Sequence, residues 1–143
     1  MGYGRHDSGA ARVYTMSAKS RTREDLYSRT TKFAPTKSGQ EVNVDKIDFR
    51  ESCDSEKNPN SHPIIVGLDV TASMGMIPEE LTKGGLEKLM GGLLERQIVD
   101  DPHLLFLGIG DAVNRDKAPL QATQFESDNS IYDQLTDLWL EGC

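Results

Sequence analysis

The chain has 143 residues, 36% of them hydrophobic and 27% charged, and a net charge of −7. That length fits one ordinary domain or a piece of a larger one. No window approaches a membrane-spanning length, and Cys53 and Cys143 form neither a CxxC motif nor a disulfide framework.

The charge is unevenly spread. Residues 1–40 carry eight Lys and Arg against three acids, whereas residues 41–143 carry eight against twenty. A broad basic nucleic-acid face in the second part is therefore excluded. The opening MGYGRHDSGAARVY lacks the apolar core of a secretion signal, and His6 stands where a myristoylation signal needs Ser or Thr. The expectation is a cytoplasmic chain with no membrane contact.

In chain order, residues 1–40 mix Ser, Thr, Arg and Lys around isolated aromatics, and are expected as a solvated basic tail. Within them Thr22 is placed to cap a short helix, with Glu24 and Asp25 in its first turn. The alternation in EVNVDKIDF suggests an edge strand or hairpin arm, and CDSEKNPNSHP is dense enough in turn formers to be a linker. Residues 1–59 thus read as a polar amino-terminal extension and linker, and 60–143 as the organised domain.

From Pro63 the pattern sharpens. Ile64, Ile65, Val66, Gly67 and Leu68 form a continuous apolar run before Asp69, as in a strand covered on both faces. Pro78, Glu79 and Glu80 mark a helix start. Leu81, Gly85, Leu86, Leu89, Met90, Leu93 and Leu94 then form a helical stripe. Gly84, Gly85, Gly91 and Gly92 interrupt it, each costing about 1 kcal/mol relative to alanine in an exposed helix interior. They signal close approach to a neighbour or a local break. HLLFLGIG (103–110) is a second strand, and the intervening helix makes a parallel crossover. LQATQF is a short third strand. SDNSIYDQLTDLWLEG holds a second helix, with Ser130 and Asp133 as a weakened capping pair and Ile131, Leu135, Leu138 and Trp139 as its buried face. Three strands leave the first with an open edge, so the domain is expected to be truncated after the second helix.

Asp69, Thr71 and Ser73 follow the first strand at every second position. If the chain stays extended there, all three side chains point one way. A carboxylate and two hydroxyls are hard oxygen ligands suited to Mg²⁺, and the lack of a nearby His or Cys argues against zinc. Equally, Thr71 and Ser73 can cap the following turn, with Asp69 bonded to turn amides. The residues alone leave both readings open.

IIVGLDVTASMG resembles the metal-ion-dependent adhesion site at the end of the first strand of a von Willebrand factor type A (VWA) domain, whose signature is Asp-x-Ser-x-Ser. Asp69, Thr71 and Ser73 fall on its three positions, with Thr71 replacing the commoner serine and Ala72 standing where glycine is frequent. Met74 and Gly75 continue the match, as do IPEELTKGGLEKLMGGLLERQI and DPHLLFLGIGDA. The likeness is greatest to stand-alone bacterial and phage members and covers roughly residues 60–143. It implies an open, Rossmann-like three-layer α/β sandwich, present here as a partial domain, in a bacterial cell or phage-infected host. It further implies a non-enzymatic docking domain, in which Mg²⁺ or Mn²⁺ held by Asp69, Thr71 and Ser73 accepts an Asp or Glu from a protein partner, as in relatives that work beside ATP-driven assembly machines. The family's remaining ligands, a threonine and an aspartate on later loops, have no counterpart here.

The alternative is an enzyme. DVTAS also resembles the phosphorylation motif of haloacid-dehalogenase-like phosphotransferases, and GDAVNRDKAPL their magnesium motif. Asp69 is then the nucleophile, Thr71 a phosphate ligand and Asp111 a metal ligand. Val70 in place of the motif's lysine, Arg115 at the second motif's final aspartate and the short interval between the motifs weigh against it.

Overall fold

A computed structural model describes residues 4–27, 29, 34–74, 76–113 and 116–141. Gly75, Arg115 and Cys143, which enter the readings above, lie outside the described residues. The chain forms a small mixed α/β domain with helices and a three-stranded sheet. No described helix is long and apolar enough to cross a membrane.

The sheet is built from β1 (Ser61–Asp69), β2 (Asp101–Ile109) and β3 (Leu120–Ala122), in the order β1-β2-β3. β1 and β2 are parallel over nine residue pairs, from Ser61 against Asp101 to Asp69 against Ile109, and β3 returns antiparallel with Ile109 opposite Leu120. The crossover helix runs as α3 (Met76–Glu80), a wide π turn (Leu81–Gly85) and α4 (Leu86–Glu95).

The register divides side chains by parity. Leu68, Val70, Leu104 and Phe106 join the main core, with Ile64 and Val66 packed against it. That core also holds Ala11 and Ala18 of α1 (Ser8–Lys19), Leu26 of α2 (Arg23–Leu26), Leu86 and Met90 of α4, and Ile131, Tyr132 and Leu135 of α5 (Ser130–Leu135). The opposite face is covered only in part. There Leu105, Ala122 and Phe125 form a second cluster under Val44, Ile47 and Leu107, while Pro63, Ile65 and Gly67 are exposed. β1 was expected to be covered on both faces, but the helices that enter its core all lie on one.

The described residues among the first forty are tied to the rest of the domain rather than forming a solvated tail. Asp7 caps α1 by accepting from Ala10 N at 2.9 Å, and exchanges two bonds with Asn129. Thr22 caps α2 as expected, in a reciprocal box with Asp25. The Tyr27 hydroxyl lies 2.7 Å from buried Thr82 Oγ1 and donates to Pro78 O. Asp137, completely buried, accepts from the amides of Lys37 (2.6 Å) and Ser38 (3.1 Å) and from the Ser38 hydroxyl.

Three local expectations change. EVNVDKIDF is no strand: Asn43 caps a 3₁₀ turn at Val44–Lys46, and one isolated bridge joins Asn43 to Gln121. α5 has six residues, and Ser130 bonds Asp128 through its amide and hydroxyl. Leu138, Trp139 and Leu140 remain buried, because the Gln121 side chain bonds the backbone of Trp139 at both N (2.6 Å) and O (2.9 Å).

The glycine pairs separate into two roles. Gly84 has φ 154° and breaks the helical ladder at the π turn, a conformation an L residue adopts only with strain. A Cβ at Gly91 or Gly92, by contrast, meets open space. We predict that Gly91→Ala stabilises the fold by about 0.5–1 kcal/mol and that Gly84→Ala destabilises it by at least about 1 kcal/mol, read from urea unfolding. Asp137→Ala should cost about 3 kcal/mol in the same measurement, because it strands two amides and a hydroxyl.

Candidate functional site

The rim at the carboxyl ends of β1 and β2 collects Asp69, Asp111 and Asp116. Why the sequence places acids here is visible in the backbone. Beyond Asp69 the chain does not stay extended: Met74 N bonds Thr71 O at 3.0 Å, and a 3₁₀ turn spans Ala72–Met74. The premise that residues two apart share a direction therefore ends at the strand.

Asp69 Oδ1 accepts from Thr71 N at 2.9 Å and from Thr71 Oγ1 at 2.6 Å. This is an Asx-type turn, with the hydroxyl directed back at the carboxylate. Those two bonds, side chain first, hold the Asp69 carboxyl below its ordinary pKa. Ser73 is exposed within the 3₁₀ turn. On the neighbouring loop, Asp111 Oδ1 accepts from Val113 N at 2.8 Å, and Asp116 Oδ2 accepts from Asp111 N at 2.5 Å. Glu141 closes the rim from the other side, its amide donating to Val70 O and its Oε1 accepting from Ala118 N. Each of these carboxylates accepts from a backbone amide, Asp69, Asp111 and Asp116 within their own loops and Glu141 across to Ala118.

This geometry corrects the metal reading. Among the described residues no group of three His, Cys, Asp or Glu side chains is placed to hold a metal ion. Asp69, Thr71 and Ser73 are not assembled as a Mg²⁺ or Mn²⁺ site, and the metal-dependent docking of a partner's Asp or Glu loses its basis. So does the extension to an ATP-driven assembly machine. The phosphotransferase alternative falls on the same ground, since Asp69 and Asp111 are each tied to their own loops and build no shared magnesium centre. Of the two readings the residues left open, the turn-capping one describes Asp69, which accepts from a turn amide, whereas the Thr71 hydroxyl donates back to Asp69 rather than capping the turn that follows.

Two features were missed from the sequence. The first is an exposed apolar stripe across the partly covered sheet face. Ile65 (61% exposed), Ile109 (46%) and Leu120 (42%) lie along it. Ile109 Cδ1 sits 3.3 Å from where a Cβ on Gly67 would stand, and Leu120 is its register partner on β3. Alternation was the available signal, because odd-numbered residues of β1 had to share one face. The second is His103 of β2, which is completely buried with Nδ1 2.8 Å from Ser52 Oγ.

The sign for Asp69 follows from its depressed pKa. Its contribution to stability is present above the ordinary carboxyl value and is lost as pH falls through the lower folded value. We predict that thermal melts of Asp69→Asn show a shallower decline on acidification than the parent, and that Mg²⁺ or Mn²⁺ at millimolar concentration shifts the melting temperature of neither. Compared with protein-family models, curated proteins and solved structures, the chain gives no match.

Proposed function

We propose that the chain is a non-catalytic protein-interaction domain that binds without metal, built on an open α/β sheet of the VWA type. The fold part of this reading is supported by the parallel β1–β2 pair joined through a helical crossover and by the short antiparallel strand outside β2. The rim supports the non-catalytic part, for its acids are engaged in holding loops.

The observation that carries the reading is that Ile65, Ile109 and Leu120, one from each strand on the same sheet face, are all open to solvent, with Ile109 and Leu120 register partners. Exposed apolar side chains grouped on one sheet face mark a contact surface. It adjoins the free edge of β1, which has no strand partner among the described residues. Val70 N bonds Ile109 O, so Pro63, Ile65 and Gly67 turn their backbone polar groups away from β2. Pro63 removes one donor from that edge, as edge strands tolerate.

Charge selects the occupant. Asp69, exposed, stands opposite Ile109 in the register, and residues 41–143 hold twenty acids against eight bases. A second copy of the chain would bring like charge to the same rim. An amphipathic helix with an apolar face and a lysine- or arginine-rich flank is complementary in both respects.

A synthetic amphipathic helix of about 18 residues made of Leu and Lys is the probe, with its Leu and Glu counterpart as control. The basic peptide is expected to bind more tightly than the acidic one, with no change on adding a chelator. The charge-neutral Ile65→Asn change should weaken it about tenfold, equivalent to roughly 1.4 kcal/mol of lost apolar contact. Equal binding to parent and Ile65→Asn, measured by calorimetry, overturns the reading.

A further inference from the structure

Between the 3₁₀ turn at Val44–Lys46 and β1, residues 47–60 cross to the sheet with no helix or strand of their own. Side chains attach this strap at a few points. Arg50 Nε donates to Thr123 O at 3.0 Å, Ser52 Oγ meets His103 Nδ1 at 2.8 Å, and Asp54 Oδ1 accepts from Ser61 N at 2.9 Å. Asn58 donates to Ser127 Oγ and to Gly4 O.

His103 differs from the other anchors. It projects from the partly covered sheet face, on the same parity as Leu105, and is completely buried. Its Nε2 is buried with no hydrogen-bond partner among the described residues. An imidazole can satisfy such a site in its neutral form, with Nδ1 engaged by Ser52 and a bare lone pair at Nε2. The imidazolium cannot, because it needs an acceptor at each nitrogen.

We propose that His103 is a proton-sensitive latch: the neutral ring holds the strap against β2 through Ser52, and protonation releases the strap so that Nε2 reaches water. Desolvation by burial is the leading influence on the ring and lowers its pKa. The carboxylates that face it act in the opposite sense: Asp101 on β2 itself, Glu126 on the segment bridged to Leu104, and Asp54 on the strap. A histidine depressed in the folded state favours the closed strap above the ordinary histidine value. That preference is lost as pH falls below the ordinary value.

Cys53 neighbours Ser52 on the strap, is a free thiol and is partly exposed, so it reports release. The experiment compares its rate of modification by a disulfide reagent in the parent and in His103→Asn, whose amide retains a group near the Nδ1 position. Peptide mass spectrometry isolates the Cys53 signal, and comparing the proteins at the same pH cancels the thiol's own pH dependence. The parent-to-variant ratio is expected near one at about pH 7.5 and to rise severalfold at about pH 5. A ratio unchanged between the two overturns the latch. Should His103→Asn fail to fold, an NMR titration of the parent decides. A His103 ring titrating below the ordinary histidine range, in step with the amide shifts of Ser52–Asp54, supports the latch; a strap that ignores that titration overturns it.

Discussion

The structure depends on nine consecutive parallel pairings between β1 and β2. Once that register is set, parity allows little else. Ile64, Val66, Leu68 and Val70 turn toward the helices, and Pro63, Ile65, Gly67 and Asp69 must turn away. A slip of one residue would bury Asp69 and expose Leu68. The exposed stripe is therefore no accident of surface composition, but the outer half of a strand whose inner half is the core.

The same register places Asp69 at the rim, and local chemistry then decides what it does. A carboxylate two residues before an amide and a hydroxyl closes an Asx turn on itself. Asp111 does likewise with Val113, while Asp116 secures the amide of Asp111. Acids grouped at the end of a sheet look alike in sequence whether they face a common centre or each pin a separate bend. What separates the cases is backbone direction after the strand, which spacing alone does not carry.

The legible elements were those with strong periodicity or explicit punctuation. β1 and β2 stood out as apolar runs, LQATQF as a short third strand, Thr22 as a cap, and Pro78 with Glu79 and Glu80 as a helix start, two residues after the helix begins at Met76. α1 was missed because its buried positions are Ala11, Thr15 and Ala18, a stripe too small and too weakly apolar to register against the surrounding Ser, Arg and Lys. EVNVDKIDF alternates like a strand, yet Asn43 turns it into a cap, and Val44 and Ile47 serve as cover for the sheet. The Asp69–Thr71–Ser73 spacing left convergence and local capping both open, and the family resemblance that favoured convergence is overturned by the turn that follows Asp69. The exposed stripe needed the sheet order, which no single segment encodes.

The clasp between residues 37–38 and Asp137 joins points about a hundred positions apart, and the pairing of Asp7 with Asn129 spans still more. Contacts of such separation form late, since the loop between their ends must close first. During synthesis the amino-terminal helices would emerge long before the groups that receive them. For that interval the inner side of α1, made of Ala11, Tyr14, Thr15 and Ala18, waits uncovered, and Tyr14 has no ring to pack against until Tyr132 has been made.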